Sequence, residues 1–411
     1  MGWEVATHDG YIGRAIACDC KAEYASIVNM IRVSCSVKVH AFQLAEQLER
    51  HGLLNRFYTI YHQAKNPILA RFNVRKDVEQ ISLARIATFP WLAVFMRLTK
   101  DSFRTNHLFD LQVARALKTD SDYHTLIGWS GMSLMSMRQA KQDGKNVVLE
   151  RGSSHIAFQI PLLEEEYARW GFQFKRDNRV IEQELEEYDL ADYITIPSEF
   201  VRDTFLQKGI VDSKLFKNNF GSNNYFKPTQ PKNEKFTILY LGSLSLRKGL
   251  PYFFNALHLL EIDPSKYEVW FAGTAQPEIQ SMLPRFTRPN WKFLDHINHY
   301  DLPDVISRCS VAVHPSLEEG LSMVIPQVMS CGVPVIATTN TGGADIIQDG
   351  RNGFIIPVRN AEAIAEKIVM LYQDGQKLTS LQEQAIQFGQ QFGTWNNYGD
   401  RYEAFLQTIS K

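Results

Sequence analysis

The segment 310–337 constrains the fold more strongly than any other part of the chain. The apolar run Ser310–His314 predicts a strand, and a polar turn at 318–320 follows it. Pro326–Cys331 predicts a short helix, and Val333–Ala337 predicts a second strand. A strand, loop, helix and strand in this order are typical of a parallel α/β sheet. The polar turn precedes the helix, where free N–H groups and the helix dipole favour an anionic or polyhydroxylated ligand.

The first half of the chain has a similar rhythm of short apolar runs and amphipathic stretches. His40–His51 carries apolar residues at helical spacing, directly after the first apolar run. Strands that alternate with helices imply a parallel sheet with both faces covered. The predicted strands are Ile31–Cys35, a strand near Phe57–Tyr61, and later runs at Tyr123–Gly128, Asn146–Leu149 and Tyr193–Ile196.

A polar, proline-rich linker, Pro228–Glu234, separates this half from a second α/β series. Each strand of the second series precedes a helix at short spacing, which is typical of a doubly wound sheet. The last helix is predicted at Trp395–Ile409. Besides the two strands of segment 310–337, the predicted strands are Phe236–Gly242, Glu268–Gly273, Trp291–Leu294 and Gly353–Ile356.

A length of 411 residues predicts two or three domains, and the rhythm of strands and helices places their boundaries. Residues 1–29 precede the first buried strand and form a leader; the pattern does not predict whether this leader is ordered. Residues 30–228 form an N-terminal Rossmann-like domain, and residues 229–392 form a second one. Residues 393–411 contain the last helix.

Composition and charge exclude several classes of protein. The chain is 45% hydrophobic and 22% charged, and its 44 basic and 45 acidic residues give a net charge of −1. This balance produces no overall field that attracts nucleic acid, so we expect no nucleic-acid partner. No run of roughly 18 apolar residues exists, so we expect no membrane-spanning helix. Residues 1–29 carry Asp and Glu before any apolar run, unlike a signal peptide.

The cysteines predict a reducing environment. They are too few and too scattered for a disulfide framework, and Cys18 and Cys20 lack the usual zinc spacing. We therefore expect a cytoplasmic protein without a structural metal. The five cysteines are Cys18, Cys20, Cys35, Cys309 and Cys331.

The segment 310–337 also carries a family signature. Seven residues separate Glu319 from Gln327, and the predicted helix runs into Cys331-Gly-Val-Pro-Val335. This pattern resembles the retaining glycosyltransferases of family four, whose signature is two Glu residues separated by seven others, before a Cys-Gly-x-Pro-Val run. The resemblance implies a GT-B fold, in which two Rossmann-like domains face a central cleft, and a nucleotide-sugar donor. Gln327 stands at the second Glu position, so hydrogen-bonding groups remain but the charge is lost.

The resemblance extends to both halves of the chain. Ala191–Arg202 is similar to the family's strand and following Ser-Glu helix cap, and Asn218–Phe226 is similar to the segment before the linker. It implies that residues 30–228 bind the acceptor and residues 229–392 bind the nucleotide sugar. It also implies that the helix in 393–411 packs back on the first domain.

The turn Gly242–Gly249 follows the first strand of the second half and opens a helix. Its small residues let the backbone approach a ligand, and the adjacent cations Arg247 and Lys248 can neutralise a diphosphate. In the family, an Arg and a Lys of this turn hold the donor phosphates. Lys248 matches the Lys, whereas Ser243 occupies the Arg position, so Arg247 is the candidate for the missing charge. The alternative is that both cations are ordinary solvated side chains.

Glu319 matches the family's first Glu, which contacts hydroxyls of the donor sugar. A carboxylate accepts two hydrogen bonds from neighbouring hydroxyls, which orients the sugar ring. Gly320 and Ser322 lie where backbone amides face the sugar or phosphate in the family. Gln327 is predicted to contact the ribose, less strongly than a carboxylate would. The alternatives are a solvated pair of Glu318 and Glu319 and a Gln327 that is only a helix-surface residue.

In the first half, a polar turn follows the strand Asn146–Leu149. Family members commonly place a His after this strand, facing the reacting centre, and His155 is the best match. Glu150 and Arg151 lie at the carboxyl end of the strand, where open α/β sheets form their sites, and are predicted on the acceptor side. The alternative for His155 is a structural hydrogen-bonding role.

The first strand-to-helix turn departs from the family, which usually has a Gly-Gly pair there. This chain has Val37-Lys-Val-His40, and its bulkier residues narrow the approach to the backbone. We therefore expect a non-standard acceptor pocket. His40 and Lys38 are candidate phosphate contacts, although a surface position at a helix N-terminus is an equal alternative for His40.

The stretch 88–104 is apolar and aromatic, with intermixed Arg and Lys. Such a stretch can lie at a membrane interface beside a lipid-linked acceptor. It can also form a core helix whose cations extend to solvent, which is the interpretation we favour.

These residues predict a glycosyltransferase that moves a sugar, with retention of configuration, from a nucleotide diphosphate to a glycan, lipid-linked or small-molecule acceptor. The donor is a substrate, and neither a cofactor nor a metal ion is expected. The alternative is a GT-B protein that binds a nucleotide sugar or glycan without turnover; an epimerase or a phosphorolytic enzyme is a third interpretation. The predicted catalytic residues are Glu319, Lys248 and His155; the donor contacts are Gly242, Ser243, Arg247, Gly320, Leu321, Ser322 and Gln327; and the acceptor-side residues are His40, Glu150 and Arg151.

Overall fold

The structure, a computed structural model, describes residues 30–60 and 81–409. The predicted leader, residues 1–29, lies outside the described residues, as does the end of the strand predicted near Phe57–Tyr61. The described chain contains a seven-stranded sheet and a six-stranded sheet, connected largely by helices. The predicted fold class, with two Rossmann-like parallel-sheet domains, is confirmed.

The first sheet contains seven short strands from the first half of the chain. These are β1 (Ile31–Ser34), β2 (Leu54–Thr59), β3 (Ile86–Thr88), β4 (Thr125–Trp129), β5 (Asn146–Glu150), β6 (Tyr193–Ile196) and β7 (Leu215–Lys217). Their order in the sheet is β3-β2-β1-β4-β5-β6-β7. The strand β1 pairs in parallel with both β2 and β4, and all its residues are buried. Both faces of the sheet are therefore covered at this strand, as expected for a parallel sheet.

Seven α-helices accompany these strands among the described residues. They are α1 (Ala41–Arg50), α2 (Pro90–Thr99), α3 (Ser102–Thr119), α4 (Leu134–Gln142), α5 (Ile156–Arg169), α6 (Asn178–Leu190) and α7 (Glu199–Leu206). Leu44, Ala45 and Leu48 on one face of α1 are buried, as the amphipathic pattern predicts. In the part of the chain that the structure describes, no helix is both long and apolar enough to cross a membrane.

The interpretation of 88–104 as a core helix is wrong for α2. Only Leu92 and Ala93 of this helix are buried. Trp91, Val94 and Leu98 are exposed. A helix that is apolar on several faces is expected to be buried on all of those faces, but α2 is buried on one face only.

The second sheet contains β8 (Phe236–Leu241), β9 (Tyr267–Ala272), β10 (Trp291–Phe293), β11 (Val311–His314), β12 (Val335–Thr338) and β13 (Gly353–Ile356). Its order is β10-β9-β8-β11-β12-β13, and every adjacent pair is parallel. The helices of this part are α8 (Leu250–His258), α9 (Pro277–Phe286), α10 (Leu302–Ser307), α11 (Val324–Ser330), α12 (Ala361–Gln373), α13 (Gly375–Gln391) and α14 (Trp395–Ile409).

The local predictions for segment 310–337 agree with these elements to within about two residues. The predicted helix Pro326–Cys331 is α11, which begins earlier, at Val324. Pro326 is tolerated because the first turn of a helix leaves its N–H groups without intrahelical partners. The predicted last helix, Trp395–Ile409, has the same bounds as α14.

Aromatic packing fixes the elements around the turn that follows β8. The rings of Phe253 and Phe254 on α8 lie 5.7 Å and 5.8 Å from that of Phe271 on β9. Tyr240 on β8 stacks on Phe253 at 6.0 Å. These side chains are nearly inaccessible to solvent, so they attach α8 rigidly to the sheet.

The described residues divide into two compact units. One contains the described residues up to Leu149, the segment Glu186–Asp192 and the described residues from Tyr402 onward. The other contains Glu150–Leu185 and Tyr193–Arg401. The second unit thus includes the turn after β5 together with the six-stranded sheet. The predicted domain boundaries, and the packing of the last helix on the first domain, remain predictions.

Candidate active site

Two turns at the carboxyl edge of the second sheet form the centre of the candidate site. The turn Gly242–Gly249 follows β8 and leads into α8. The second turn, residues 315–323, follows β11 and leads into α11. Gly249 has a φ angle of +66°, and a Cβ atom there would lie 1.9 Å from the carbonyl oxygen of Pro315. Glycine therefore permits the first turn to lie against the turn that follows β11. This contact brings Arg247 and Lys248 to the acidic side chains of the second turn.

Glu319 is fixed through one of its two carboxylate oxygens. Oε1 accepts hydrogen bonds from His314 Nε2 and Ser316 Oγ, each at 2.9 Å, and from the Lys248 ammonium group. Oε2 accepts no hydrogen bond from the residues that the structure describes. The carboxylate is consequently held in one orientation while one oxygen remains available to a ligand.

The surroundings of Glu319 also keep it charged. Burial alone would raise the pKa of Glu319, but the Lys248 ammonium and the His314 imidazole hold this pKa well below its usual range. The carboxylate is therefore ionised at neutral pH. The alternative of a solvated glutamate pair is wrong, because the side chains of Glu318 and Glu319 are 0% and 13% exposed.

Glu318 is the centre of a buried hydrogen-bond network. Its Oε1 accepts from the backbone N–H of Ser154 at 3.0 Å and from Ser154 Oγ at 2.7 Å. Its Oε2 accepts from Gln159 Nε2 at 2.7 Å and pairs with Arg247 Nη2 at 2.8 Å. Burial would raise the pKa of Glu318, but Arg247, Gln159 and Ser154 lower it below its usual value. Sequence reasoning did not assign a role to Glu318, Ser154 or Gln159.

Arg247 is held at two points on the second turn. Its Nη2 pairs with the Glu318 carboxylate, and its Nε donates to the Glu318 carbonyl oxygen at 3.2 Å. The side chain is 36% exposed, so part of the guanidinium faces solvent. The alternative of a freely solvated Arg247 is therefore wrong. Its predicted contact with phosphate remains a prediction.

The turn after β5 meets the second turn within the same compact unit. A Cβ atom on Gly320 would lie 1.9 Å from the carbonyl oxygen of Gly152, so the two backbones are in direct contact. Arg151 stabilises the turn after β5: its Nε and Nη2 donate to the Ser154 carbonyl oxygen at 3.0 Å and 2.7 Å, and its Nη1 pairs with Glu184 at 2.5 Å. Arg151 is thus committed to a buried structural ion pair.

Glu150 is also buried in the described structure. Its carboxylate lies beside Tyr398, and burial together with this carboxylate raises the pKa of the Tyr398 phenol well above its usual value. The predicted acceptor-side roles of Glu150 and Arg151 remain predictions.

His155 is the residue immediately before α5. Its Nδ1 accepts a hydrogen bond from the Ala157 N–H at 3.1 Å, and its ring lies edge-on to Phe205 at 4.8 Å. Burial and the nearby cations Arg151 and Lys208 lower the pKa of His155 to about 4. The imidazole is therefore neutral at neutral pH and serves as a helix cap, which agrees with the structural alternative. Its predicted catalytic role remains a prediction.

A cavity of about 730 Å³ lies at the carboxyl ends of β8 and β9. Gly273 allows these two strand ends to approach, since a Cβ atom there would lie 1.9 Å from the Gly242 carbonyl oxygen. Ser243 lines the cavity, and its Oγ accepts from Gln276 Nε2 at 3.2 Å. The segment after β10 completes the lining with His296 and Asn298.

The remaining predicted donor contacts lie on the second turn and on α11. Leu321 and Ser322 are buried, and the Ser322 N–H donates to the Thr341 carbonyl oxygen at 3.0 Å. The Gly320 carbonyl oxygen accepts from Ser198 Oγ at 2.5 Å. Gln327 is half-buried on α11, and its amide group makes no hydrogen bond within the described chain.

His40 lies in the other compact unit. It immediately precedes α1, and its ring lies 5.3 Å from that of Trp129. His40 is half-buried, and its predicted contact with phosphate or acceptor remains a prediction.

The second sheet matches a known family. Residues 235–374, which include both turns, match the model of the family Glycosyl transferases group 1. The putative glycosyltransferase EpsD of Bacillus subtilis is 25% identical over 312 residues, which is 70% of this chain and 77% of EpsD.

Two solved structures share the fold over most of the chain. HepE of Anabaena, in complex with UDP and glucose, has a TM-score of 0.66 at 15% identity and covers 92% of this chain and 100% of its own. Sucrose-phosphate synthase from Thermosynechococcus elongatus has a TM-score of 0.69 at 16% identity, covering 92% and 98%. The solved structures define the fold class of the protein as GT-B, and residues 235–374 are similar to the group 1 glycosyltransferases.

Proposed function

We propose that the protein transfers a sugar from a nucleotide diphosphate sugar to an acceptor, with retention of configuration. This proposal rests on one observation: Glu319 is largely buried, ionised and hydrogen-bonded within the described chain through only one of its two carboxylate oxygens. Three donors fix its Oε1, and its Oε2 accepts no hydrogen bond from the described residues. A buried, ionised carboxylate in a fixed orientation is suited to accept hydrogen bonds from sugar hydroxyls.

Lys248 and Arg247 supply positive charge beside this carboxylate. In the structure, Lys248 pairs with Glu319 and Arg247 with Glu318. We infer that a bound diphosphate draws Lys248 from Glu319, because a phosphate carries more charge than one carboxylate oxygen. Arg247 keeps its contact with Glu318 and adds a second cation. These two cations then stabilise the charge that develops on the leaving diphosphate, and this is the neutralising role that a metal ion has in other enzymes.

The cavity next to Ser243 accommodates the nucleoside in this proposal. Its volume of about 730 Å³ is in the range of small-molecule sites. It begins at Gly242, in the turn that carries both cations, so a nucleoside there would place its diphosphate towards Arg247 and Lys248. HepE, which shares the fold, was crystallised with UDP and glucose. This supports a nucleotide sugar as the donor class without naming the base.

The chemical step in this proposal uses no protein nucleophile. The bond between the sugar C1 and the diphosphate oxygen breaks, and the acceptor oxygen forms a bond to C1 on the same face. The acceptor proton passes to the leaving diphosphate oxygen, so charge and atoms balance. This step does not require His155 as a base, because the leaving diphosphate oxygen takes the acceptor proton; the hydrogen bond from Ala157 N–H to His155 Nδ1 fits a helix cap. The acceptor is a glycan, a lipid-linked glycan or a small molecule.

We place the reaction in the cytoplasm. Cys35, Cys309 and Cys331 are buried and form no disulfide among the described residues, which agrees with a reducing environment.

A second candidate function is binding of a nucleotide sugar without turnover. The neutral, half-buried Gln327 and the presence of Ser243 at the Arg position favour it. A panel of UDP-, GDP- and ADP-sugars distinguishes the two functions by thermal stabilisation and by nucleotide release with and without candidate acceptors. Binding with nucleotide release in the presence of EDTA supports the transferase. Binding without release by any acceptor supports the second function.

Glu319→Ala provides the matched test on the selected donor. In the transferase, this change lowers turnover much more than affinity for the bare nucleotide diphosphate, which lacks the sugar. Glu366→Ala is the control, because Glu366 is an exposed acid of α12. Full activity of Glu319→Ala would show that the sugar does not bind at this carboxylate.

A further inference from the structure

Helix α2 presents an apolar face to solvent. The exposed fractions of Leu98, Trp91 and Val94 are 81%, 49% and 43%. Positions 91, 94 and 98 are separated by three and four residues, so these side chains lie on one face of the helix. A contiguous exposed patch of large apolar side chains is more often a site of interaction than an ordinary part of a protein surface.

The opposite side of α2 is firmly attached to its unit. Leu92 and Ala93 are buried, and the preceding residue, Phe89, packs edge-on against Phe109 of α3 with ring centroids 5.9 Å apart. The exposed face therefore belongs to a helix that is packed on its other side, and it is not the result of a frayed helix end.

The stretch that contains the exposed apolar face is rich in cations. Residues 90–104 contain Arg97, Lys100 and Arg104 against the single acid Asp101, which gives this stretch a net charge of 3 − 1 = +2. The whole chain has a net charge of −1, so the positive charge is a local feature. Asp101 is already used as the N-cap of α3, where it accepts from the Arg104 N–H at 2.9 Å.

We propose that α2 docks on an anionic phospholipid bilayer. Trp91, Val94 and Leu98 enter the headgroup region, and Arg97 and Lys100 extend to lipid phosphates. Tryptophan prefers this interface, and long basic side chains reach the phosphates while their stems stay apolar. The two signals together, apolar area and positive charge, produce reversible peripheral binding. This proposal concerns a surface outside the nucleotide-sugar site and does not depend on the transfer reaction.

The test measures binding of the full-length protein to sonicated vesicles. Vesicles of phosphatidylglycerol and phosphatidylcholine should sediment the protein, and vesicles of phosphatidylcholine alone should bind it much more weakly. Leu98→Glu should weaken binding about tenfold or more, since it places a charge among apolar groups. Lys100→Gln should weaken it about fivefold, as expected for one cation near an anionic surface. Added salt should weaken binding for the same reason.

Two control substitutions are matched to these variants. Val211→Glu places the same charge at another exposed apolar residue, and Lys266→Gln removes another exposed cation. Both should bind vesicles like the unmodified protein. Equal losses in the controls would show that the effect comes from net charge alone and would overturn the assignment to α2.

A fluorescent reporter identifies the occupant of this face directly. Leu98→Cys, in a chain with Cys18 and Cys20 replaced by serine, carries an environment-sensitive dye whose emission should shift to the blue on anionic vesicles. The described native cysteines, Cys35, Cys309 and Cys331, are buried and so resist labelling. A dye already shielded in the monomer without vesicles would show that the chain itself covers the face. A concentration-dependent dimer that Leu98→Glu abolishes would show self-association. Either result, or no binding to anionic vesicles, overturns the proposal.

Discussion

Arg247 and Glu318 form an ion pair in which the carboxylate is completely buried and the guanidinium is partly exposed. Nη2 of Arg247 lies 2.8 Å from Oε2 of Glu318, and their side chains are 36% and 0% exposed. Glu318 is itself held by Ser154 and Gln159 from the turn after β5 and from α5. The orientation of Arg247 therefore depends on a part of the chain far from it in sequence.

Glu318→Gln should release Arg247 and weaken diphosphate binding. Both carboxylate oxygens of Glu318 accept hydrogen bonds, but an amide group has only one oxygen. Its NH₂ group would therefore face either Arg247 and Gln159 or Ser154, which are all donors, and the hydrogen bonds on that side would be lost. We expect affinity for inorganic pyrophosphate, measured by calorimetry, to fall about five- to tenfold, roughly 1 to 1.4 kcal/mol. Glu366→Gln, at an exposed acid, should leave it unchanged.

A double-mutant cycle separates positioning of Arg247 from general destabilisation. In an Arg247→Gln background, Glu318→Gln should have little further effect on pyrophosphate affinity. Additive losses in the double variant would contradict the idea that Glu318 acts through Arg247.

Lys248→Ala should lower turnover by roughly 10²-fold, because one stabiliser of the leaving diphosphate is lost. The measurement is steady-state release of nucleotide from the donor selected in the panel. Lys248→Arg keeps a charge at this position and should retain more activity than Lys248→Ala. Lys266→Ala is the control at an exposed lysine. Normal turnover by a correctly folded Lys248→Ala protein would remove Lys248 from the reaction.

Gln327→Glu should tighten nucleotide binding if this side chain contacts the ribose. The Gln327 amide is half-buried and has no hydrogen bond within the described chain, so a ligand hydroxyl can approach it. Replacing a neutral acceptor by a charged one should add about 1 kcal/mol. The gain should disappear with the 2′,3′-dideoxy form of the same nucleotide. An equal gain with the dideoxy nucleotide would place the ribose elsewhere.

His155 should make the protein sensitive to acid. Its pKa is about 4 in the folded protein against 6.5 for an ordinary histidine, so the unfolded chain binds more protons between these values. The stabilising contribution is complete above pH 6.5 and is lost as pH falls towards 4, up to about 3 kcal/mol. When the pH is lowered from 7 to 4.5, the free energy of unfolding measured in urea should decrease less for His155→Gln than for the unmodified protein. Equal losses would contradict the neutral, buried imidazole.

Asp110 titrates in the same pH range, but its effect on stability has the opposite sign. Comparing His155→Gln with the unmodified protein removes the contribution of Asp110. Burial raises its pKa to about 6, against hydrogen bonds from Met135 and Ser136 that lower it. Its stabilising contribution is present at low pH and is lost as pH rises through 6. Since His155→Gln leaves Asp110 in place, the difference between the two proteins reports on His155.

The strands and the last helix could be predicted from sequence because their signals are local. Apolar runs such as Val333–Ala337 contain the residues that become buried, and the observed β12 differs from this prediction by one or two residues at its ends. The pattern of segment 310–337 predicted that Glu319 follows a strand of the second sheet, and Glu319 does lie at the carboxyl edge of that sheet, after β11. Neither inference needs knowledge of distant contacts.

The sequence by itself therefore determined two parallel sheets of the GT-B class, with Glu319 and Lys248 each on a turn that follows a strand of the second sheet. Tertiary structure alone decided that Glu318 is buried, that Ser154 binds it across 164 residues of chain, and that one face of α2 is exposed. The physical reason is that periodicity reports only the preference of a residue for water or for apolar surroundings. Which partner satisfies a buried charge, and whether an apolar face is covered, depend on chain segments brought together only in the folded protein.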